Sequence, residues 1–255
     1  MKRVTEPSGE TDKLAKLAAE GRLLRHCVRG VQFFADPLND AVQGVGAHLW
    51  FAARALIDFV APDGQGAVSP GARVCELGAG CGAVGLTLHA LSNCTVTLTD
   101  QPHVLPLLRF NAAHVACAHP TREPAHVSPL RWGDAHDVAT QSIERFDVLL
   151  GADITYEPSQ HLPLLTTMEA LCDGKRTRVL LAFAHRGDGT LNRFLKLAAT
   201  QGWDFHPVLI AQNGDEGCEG ANPVVVLEGR APSRSKTEGT PALCRAWPAL
   251  MPSEC

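Results

Sequence analysis

A glycine-rich run carries the strongest chemical signal in the sequence. It reads Val74-Cys75-Glu76-Leu77-Gly78-Ala79-Gly80-Cys81-Gly82-Ala83-Val84-Gly85. Glycine permits a sharp turn and lets a ligand approach the backbone without meeting a Cβ atom. A helix that begins after such a turn presents free N–H groups to a polar ligand. The run therefore predicts a strand, a cofactor-binding turn and a helix, with a tight turn that binds nothing as the alternative.

The glycines fit two cofactor motifs that differ in register. Counted from Gly80, they have the spacing of the dinucleotide fingerprint, and Asp100 lies 20 residues further on. Counted from Glu76, they resemble the E-x-G-x-G-x-G loop of class I S-adenosylmethionine-dependent methyltransferases. The cofactor loop turns at its first glycine, where the strand ends, and a strand ending at Leu77 makes Gly78 that residue. Glu76 would also repel a pyrophosphate and attract a cationic cofactor, so the second register is favoured over a nicotinamide-dependent oxidoreductase.

Polar and aromatic residues follow the later predicted strands. Asp100 ends one strand, Trp132 ends the next, and Asp153 and Tyr156 follow the one after that; Tyr156 is the only tyrosine. Ligands of open α/β sheets bind outside the carboxyl ends of the strands, so these residues are candidates for one site beside the glycine turn.

Each of these residues also has a purely structural interpretation. Asp100 has two acceptor oxygens for a ribose, or it caps the next helix. Trp132 borders an adenine, or it is a core tryptophan. Asp153 and Tyr156 contact a substrate, or they form an ordinary turn with a half-buried phenol.

Five ordered motifs give the chain a specific resemblance. They are Gly44-Val45-Gly46-Ala47-His48-Leu49-Trp50, the glycine loop, Thr99-Asp100, Arg131-Trp132-Gly133-Asp134 and Asp153-Ile154-Thr155-Tyr156. Over residues 28–229 the chain resembles methyltransferase family 16, the seven-strand protein lysine methyltransferases. The segment Phe183-Ala184-His185-Arg186 resembles the family's strand-five arginine segment. Phe51 departs from the family, which commonly has Asp or Pro there, and this departure bears on the choice of substrate.

The resemblance implies S-adenosylmethionine as cofactor and a lysine side chain of a non-histone protein as substrate. Gly78, Ala79 and Gly80 would hold the methionine end, Asp100 the ribose and Trp132 the adenine. Trp50 and Ala152 would contact the cofactor from the sides, and Glu76 completes the set expected to bind it. Asp153 and Tyr156 would face the nucleophile, with Asp153 positioning the amine rather than acting as a strong base.

The elements that must position these residues alternate between strands and helices after residue 62. The expected strands are Arg73–Leu77, Thr95–Thr99, Val127–Trp132, Phe146–Ala152, Arg178–Phe183, Phe205–Ile210 and Val224–Leu227. The expected helices are Val84–Leu91, Val104–Asn111, Ser159–Leu171 and Thr190–Gln201. Such alternation predicts an α/β fold with helices on both faces of a mostly parallel sheet. The sheet of the class I methyltransferase (Rossmann-like) fold has seven strands, and its last two are expected to form an antiparallel hairpin.

Three segments are expected along the chain. Residues 1–61 form an N-terminal extension packed on the core, with a helix over 11–26, a strand or half-hairpin over 27–34 and a helix over 48–60. Residues 62–230 form the methyltransferase core, and residues 231–255 form a loose tail.

Composition limits the remaining function classes. The net charge of −4 and the absence of a long apolar run disfavour nucleic-acid and membrane binding. The nine cysteines include no C-x-x-C pair, and the sequence contains no H-E-x-x-H motif, so no metal site is expected. The cysteines are expected to be reduced thiols, which predicts a cytoplasmic protein, with the nucleus as the alternative. A monomer acting on a protein substrate is expected. A methyltransferase for small molecules or other substrates on this fold, or a binding module without catalysis, are further alternatives.

Overall fold

The structure is a computed structural model that describes residues 8–42, 44, 46–120, 123–141, 145–211 and 223–232. Its centre is a seven-stranded sheet with the spatial order β5-β4-β3-β6-β7-β9-β8. The strands are β3 (Arg73–Leu77), β4 (Thr95–Asp100), β5 (His126–Pro129), β6 (Val148–Ala152), β7 (Arg178–Ala184), β8 (Asp204–Ala211) and β9 (Val224–Arg230). The strands β3 to β7 are parallel, and β9 runs antiparallel to both β7 and β8. The predicted fold class and the antiparallel hairpin at the sheet edge are therefore confirmed.

Neighbouring residues of the inner strands pack into different hydrophobic clusters. Val74 faces one cluster and Cys75 the other, and Leu150 and Leu149 divide in the same way. The first face is covered by helices α2 (Phe51–Val60), α3 (Ala83–Leu91) and α4 (Leu105–Ala118). The second is covered by α5 (Ala135–Gln141), α6 (His161–Leu171) and α7 (Thr190–Thr200). Successive side chains of a strand point to opposite faces of the sheet, so both faces are buried under helices. This is the three-layer arrangement that the alternation of strands and helices in the sequence predicts.

The topology places a crevice at the carboxyl end of β3. From β3 the chain moves outward through β4 and β5, and then returns to pair β6 with the opposite edge of β3. The connection after β3 leads to β4 and the connection after β6 leads to β7, toward opposite edges of the sheet, so the loops after β3 and β6 separate there. Such a switch point is where open α/β sheets bind ligands.

The N-terminal segment forms helix α1 (Ser8–Ala19) and a hairpin of β1 (Leu24–Val28) with β2 (Val31–Ala35). The predicted helix over 11–26 was therefore wrong in its last part, because Gly21 adopts φ +71° and residues 24–28 pair with β2. Arg29 and Gly30 both have positive φ at the turn, as a two-residue hairpin loop requires. The strand or half-hairpin expected over 27–34 is confirmed as β-structure, but the segment contains the turn and parts of both strands of the hairpin.

Other boundaries moved for identifiable reasons. The strand expected to end at Trp132 ends at Pro129, since Arg131 begins a turn in which its carbonyl accepts the N–H of Asp134. Helix α4 continues to Ala118, and α5, which was not predicted, follows Asp134. Helix α2 begins at Phe51 and packs directly on β7, so the expected extension contributes one of the sheet-covering helices.

Residues 1–7, 212–222 and 233–255 lie outside the described residues, and with them most of the tail expected over 231–255. Within the described part of the chain, no helix has the length and apolarity needed to cross a membrane.

Candidate functional site

The glycine turn begins at Gly78, as the methyltransferase register predicts. Strand β3 ends at Leu77, and Gly78, Gly80 and Gly82 all have positive φ, at +60°, +58° and +83°. A Cβ atom on Gly78 would lie 2.9 Å from Ile154 and 3.3 Å from Trp132. The left-handed backbone and the close neighbours both require glycine here, so the turn follows the methyltransferase register.

Hydrogen bonds fasten the glycine turn to the end of β4. The N–H of Ala79 donates to the carbonyl of Thr99 at 2.9 Å, and the N–H of Gly80 donates to Oδ2 of Asp100 at 2.7 Å. The other Asp100 oxygen accepts the N–H of Gln101. Burial raises the pKa of Asp100, and these two N–H donors oppose that rise. Asp100 does not cap α4, which begins after Val104 without a side-chain cap.

Glu76 lies beneath the turn and fixes the start of α3. Its side chain is buried, and Oε2 accepts the N–H of Gly85 at 2.7 Å. Burial raises the pKa of Glu76 to about 8, and the nearby carboxylate of Asp100 acts in the same direction. Glu76 therefore combines an anchoring role with a position at the floor of the crevice.

A cavity of about 630 Å³ opens at this end of the sheet. All ten residues expected at the site line it: Trp50, Glu76, Gly78, Ala79, Gly80, Asp100, Trp132, Ala152, Asp153 and Tyr156. Residues that were not assigned a role also line it, among them Gly46, His48, Leu49, Gln101, Arg131, Ile154, Gln160 and Arg186. The volume lies within the range of about 300–1,000 Å³ common for small-molecule and cofactor sites.

A strained turn after β6 holds Asp153 at the wall of this cavity. Asp153 adopts φ +59°, a conformation uncommon for residues other than glycine. Its N–H donates to the carbonyl of Ala182 at 2.8 Å. Ile154 is buried, and the ring of His161 bonds the carbonyl of Thr155 at 2.8 Å. The backbone on both sides of Asp153 is thus fixed by tertiary contacts, which is how a strained functional residue persists.

Asp153 is paired with Arg186, which follows β7. The guanidinium of Arg186 donates to Oδ2 of Asp153, and its carbon lies 5.5 Å from the centroid of the Trp50 ring. Burial raises the pKa of Asp153, and the charge of Arg186 opposes that rise. Asp153, Arg186 and Trp50 form one contact chain across the cavity wall.

Aromatic rings also line the cavity. Trp50 stacks on His48 with ring centroids 5.5 Å apart, while Trp132 packs beside Gly78. Tyr156 is 53% exposed at the opening. Burial and the nearby carboxylates of Asp100 and Glu157 raise the pKa of Tyr156, so its hydroxyl stays protonated and can donate a hydrogen bond.

Asn111 had no predicted role, and Arg186 was singled out only by the resemblance of its segment to the family's strand-five arginine segment. Asn111 of α4 bonds the N–H of Phe34 at 2.9 Å and donates to the carbonyls of Phe34 and Cys81 at 2.7 and 2.8 Å. It therefore joins the hairpin to the glycine turn, a contact between distant segments that no local pattern announces. Arg186 carried a usable signal, since it follows a parallel strand at the same sheet edge as Asp153.

The cavity suits S-adenosylmethionine on three structural grounds. The glycine turn leaves no space for a side chain at Gly78, the carboxyl group of Asp100 brings acceptor oxygens for a ribose to the cavity, and Trp132 offers an apolar ring to a base. Among the described residues, no group of three or more His, Cys, Asp or Glu side chains is placed to hold a metal.

Comparison with known proteins gives a consistent result. A family model described as lysine methyltransferase matches residues 36–201. EEF1A lysine methyltransferase 3 of Xenopus tropicalis is 34% identical over 175 residues, which are 68% of this chain and 72% of that protein. Protein N-lysine methyltransferase METTL21A of Danio rerio is 37% identical over 171 residues, or 67% of this chain and 72% of that protein.

A solved structure shares the fold at low identity. P. horikoshii TYW2, solved with MeSAdo, has a TM-score of 0.52 and 12% identity and covers 90% of this chain and 85% of its own. The glycine register and the relatives identify the cofactor as S-adenosylmethionine and the enzyme as a methyltransferase rather than a nicotinamide oxidoreductase. The chain belongs to the lysine methyltransferase family.

Proposed function

We propose that this enzyme transfers a methyl group from S-adenosylmethionine to the side-chain amine of a lysine in a non-histone protein. The observation that carries the proposal is the juxtaposition of the glycine turn and the largely buried Asp153 carboxylate across one cavity. The named activities of the relatives support the same class of substrate.

The cofactor would lie along the carboxyl ends of β3 and β4. Gly78, Ala79 and Gly80 would hold its methionine part, Asp100 its ribose and Trp132 its adenine. Trp50 and Ala152 would close the sides, and Glu76 would form the floor below the glycine turn. When bound, S-adenosylmethionine supplies an electrophilic sulfonium methyl that passes to an amine, with loss of one proton from that amine.

The protein must accept a cationic lysine and make its amine reactive. Free lysine has a pKa of about 10.4, and only its neutral form is a nucleophile. Asp153 would attract the ammonium and orient its nitrogen, while burial at the cavity wall lowers the pKa of the amine by desolvation. Tyr156 stands at the opening, where its protonated hydroxyl and ring can both contact the incoming chain. Alignment of the nucleophile is the main contribution expected from these side chains.

We further propose that the enzyme acts as a monomer in the cytoplasm, with the nucleus as alternative, and does not bind nucleic acid. The net charge of −4 argues against a phosphate-binding surface. All six cysteines among the described residues carry free thiols, as is usual in a reducing compartment.

Incubation of the protein with methyl-labelled S-adenosylmethionine and a cell lysate tests the proposal. The wild type is expected to label a discrete protein band, and Asp153→Asn is expected to lose that band while still binding the cofactor. Asp204→Asn, which changes an exposed carboxylate at the start of β8, is the matched control and should label normally. Label confined to nucleic acid or small metabolites, or full activity of Asp153→Asn, contradicts the proposal.

A further inference from the structure

The cation that faces Asp153 in this structure belongs to the chain itself. The Asp153 side chain is only 8% exposed, and that of Arg186 is 37% exposed. The guanidinium contacts the Asp153 carboxylate on one side and lies over the Trp50 ring on another. A carboxylate combined with an aromatic face is an arrangement that stabilises organic cations in general.

An incoming lysine ammonium meets a carboxylate that is already neutralised. Two cations at one carboxylate would repel each other, and the repulsion grows as solvent is excluded. If Arg186 kept its present position, the ammonium would gain little from Asp153. One of the two cations must therefore leave for the other to bind well.

Arg186 has a second carboxylate within its reach. Asp188 lies two residues further along the β7–α7 loop and interacts electrostatically with both Arg186 and Asp153. Gly187 and Gly189 flank it with φ +70° and +71°, and Oδ1 of Asp188 accepts the N–H of Thr190 at 2.8 Å. Asp188 is thus held in place by the start of α7, next to the path of the Arg186 side chain.

The two acidic positions border neighbouring concavities. Asp153, Tyr156 and Arg186 line the large cavity, and the same three residues line a second, smaller concavity that also includes Asp188. The Asp153–Arg186 pair thus forms the partition between them. Movement of Arg186 toward Asp188 would open this partition from the solvent side.

We propose that Arg186 is a positioning residue that occupies Asp153 when no substrate is present and exchanges to Asp188 when a substrate ammonium arrives. The proposal rests on the proposed lysine methyltransferase function and specifies how its substrate site is kept and released. The exchange moves Arg186 from a carboxylate whose side chain is 8% exposed to an exposed carboxylate, where an ion pair is weaker. The substrate ammonium takes the place of Arg186 at Asp153 and thereby supplies the free energy for the move. In this arrangement Arg186 competes with other cations for the Asp153 carboxylate, and cations that bind only weakly do not displace it.

Binding of n-butylammonium, used as a lysine side-chain probe, tests the exchange. The probe is titrated by NMR into the protein saturated with S-adenosylhomocysteine. Arg186→Gln is expected to bind the probe about fivefold more tightly than the wild type, the size of an ion pair that no longer competes. Arg186→Lys should restore the competition, and the double variant Arg186→Gln with Asp153→Asn should lose the gain.

Arg193→Gln is the matched control for charge. Arg193 lies on α7 and donates hydrogen bonds to the carbonyl of Asp188 and to the hydroxyl of Thr190. The substitution therefore removes a nearby positive charge and leaves the Asp153–Arg186 pair in place. The affinity of Arg193→Gln for the probe should change much less than that of Arg186→Gln. An equal gain in probe affinity in both variants would show that only the net charge matters, and it would overturn the proposed exchange. Unchanged or weaker probe binding by Arg186→Gln would also overturn it.

A measurement on the wild type covers the case in which a variant does not fold. The Arg186 guanidinium signal, assigned by its loss in Arg186→Lys or by selective labelling, should shift as the probe saturates Asp153. An unshifted signal at saturation contradicts the proposal. Because these experiments require no methyl transfer, their failure is distinct from a failure to label a protein in the lysate.

Discussion

A Cβ atom on Gly80 would overlap the carbonyl oxygen of Gly46. The segment before α2 therefore lies directly against the glycine turn, at a distance that only a residue without a side chain permits. Since Gly80 also has φ +58° and donates its N–H to Asp100, three separate constraints meet at one residue. The position of the turn depends on the segment that precedes Trp50 as well as on β3 and β4.

Gly80→Ala is expected to damage cofactor binding and stability together. Positive φ alone costs an L residue about 1 kcal/mol or more, and overlap with Gly46 forces the turn to move. Gly71→Ala is the matched control, because Gly71 has φ +80° but nothing within 4 Å of its Cβ position. Thermal unfolding and cofactor titration should show a larger stability loss for Gly80→Ala, and weakened binding only there. Equal behaviour of the two variants would contradict the contact with Gly46.

Asn111→Ala should loosen the junction between the hairpin and the glycine turn. The substitution leaves the backbone groups of Phe34 and the carbonyl of Cys81 without their partner. Loss of such buried bonds costs about 1–3 kcal/mol per unsatisfied group. Denaturant unfolding measures the loss, and Asn192→Ala, on the exposed side of α7, serves as the comparison. A stability equal to that of Asn192→Ala would show that Asn111 does not join the two segments.

Trp132→Ala should weaken cofactor binding measured by calorimetry. Stacking of a base on an aromatic side chain contributes about 1–3 kcal/mol, which corresponds to a loss of affinity of roughly 5-fold to 150-fold. Trp132→Phe keeps an aromatic face and should retain most of the binding. Unchanged affinity in Trp132→Ala would mean that this tryptophan only packs against the core.

Glu76 should make the protein less stable as pH rises. Its pKa of about 8 in the folded state exceeds the ordinary value of 4.5, so the folded state binds the proton more tightly than the unfolded state. The contribution of Glu76 to stability is complete below pH 4.5 and is lost as pH rises to about 8. The Glu76→Gln variant keeps an acceptor for the N–H of Gly85 but removes the titration.

Unfolding free energies measured from pH 5 to 8 test this contribution. The wild type should lose stability relative to Glu76→Gln across that range, and Glu169→Gln, an exposed change on α6, should follow the wild type. Parallel curves for the wild type and Glu76→Gln would show that Glu76 ionises normally in the folded protein.

Local patterns predicted the parts of the site that follow strand ends. The glycine register, Asp100 and Asp153 could be placed because parallel strands bring their carboxyl ends to one edge. The ion pair between Asp153 and Arg186 could not be placed, since it depends on the path of a long side chain between two loops. The helix predicted over 11–26 extends beyond the observed end of α1 at Ala19. Residues 24–26 pair with β2 instead, because tertiary pairing overrides helical spacing.

Analysis of the methylated residue tests the central claim most directly. The protein band labelled by the wild type is digested, and the modified residue is identified by mass spectrometry. The account predicts a methyl group on the ε-nitrogen of lysine, absent when Asp153→Asn replaces the wild type. A methyl group on arginine, on histidine or on a chain terminus alone would contradict it.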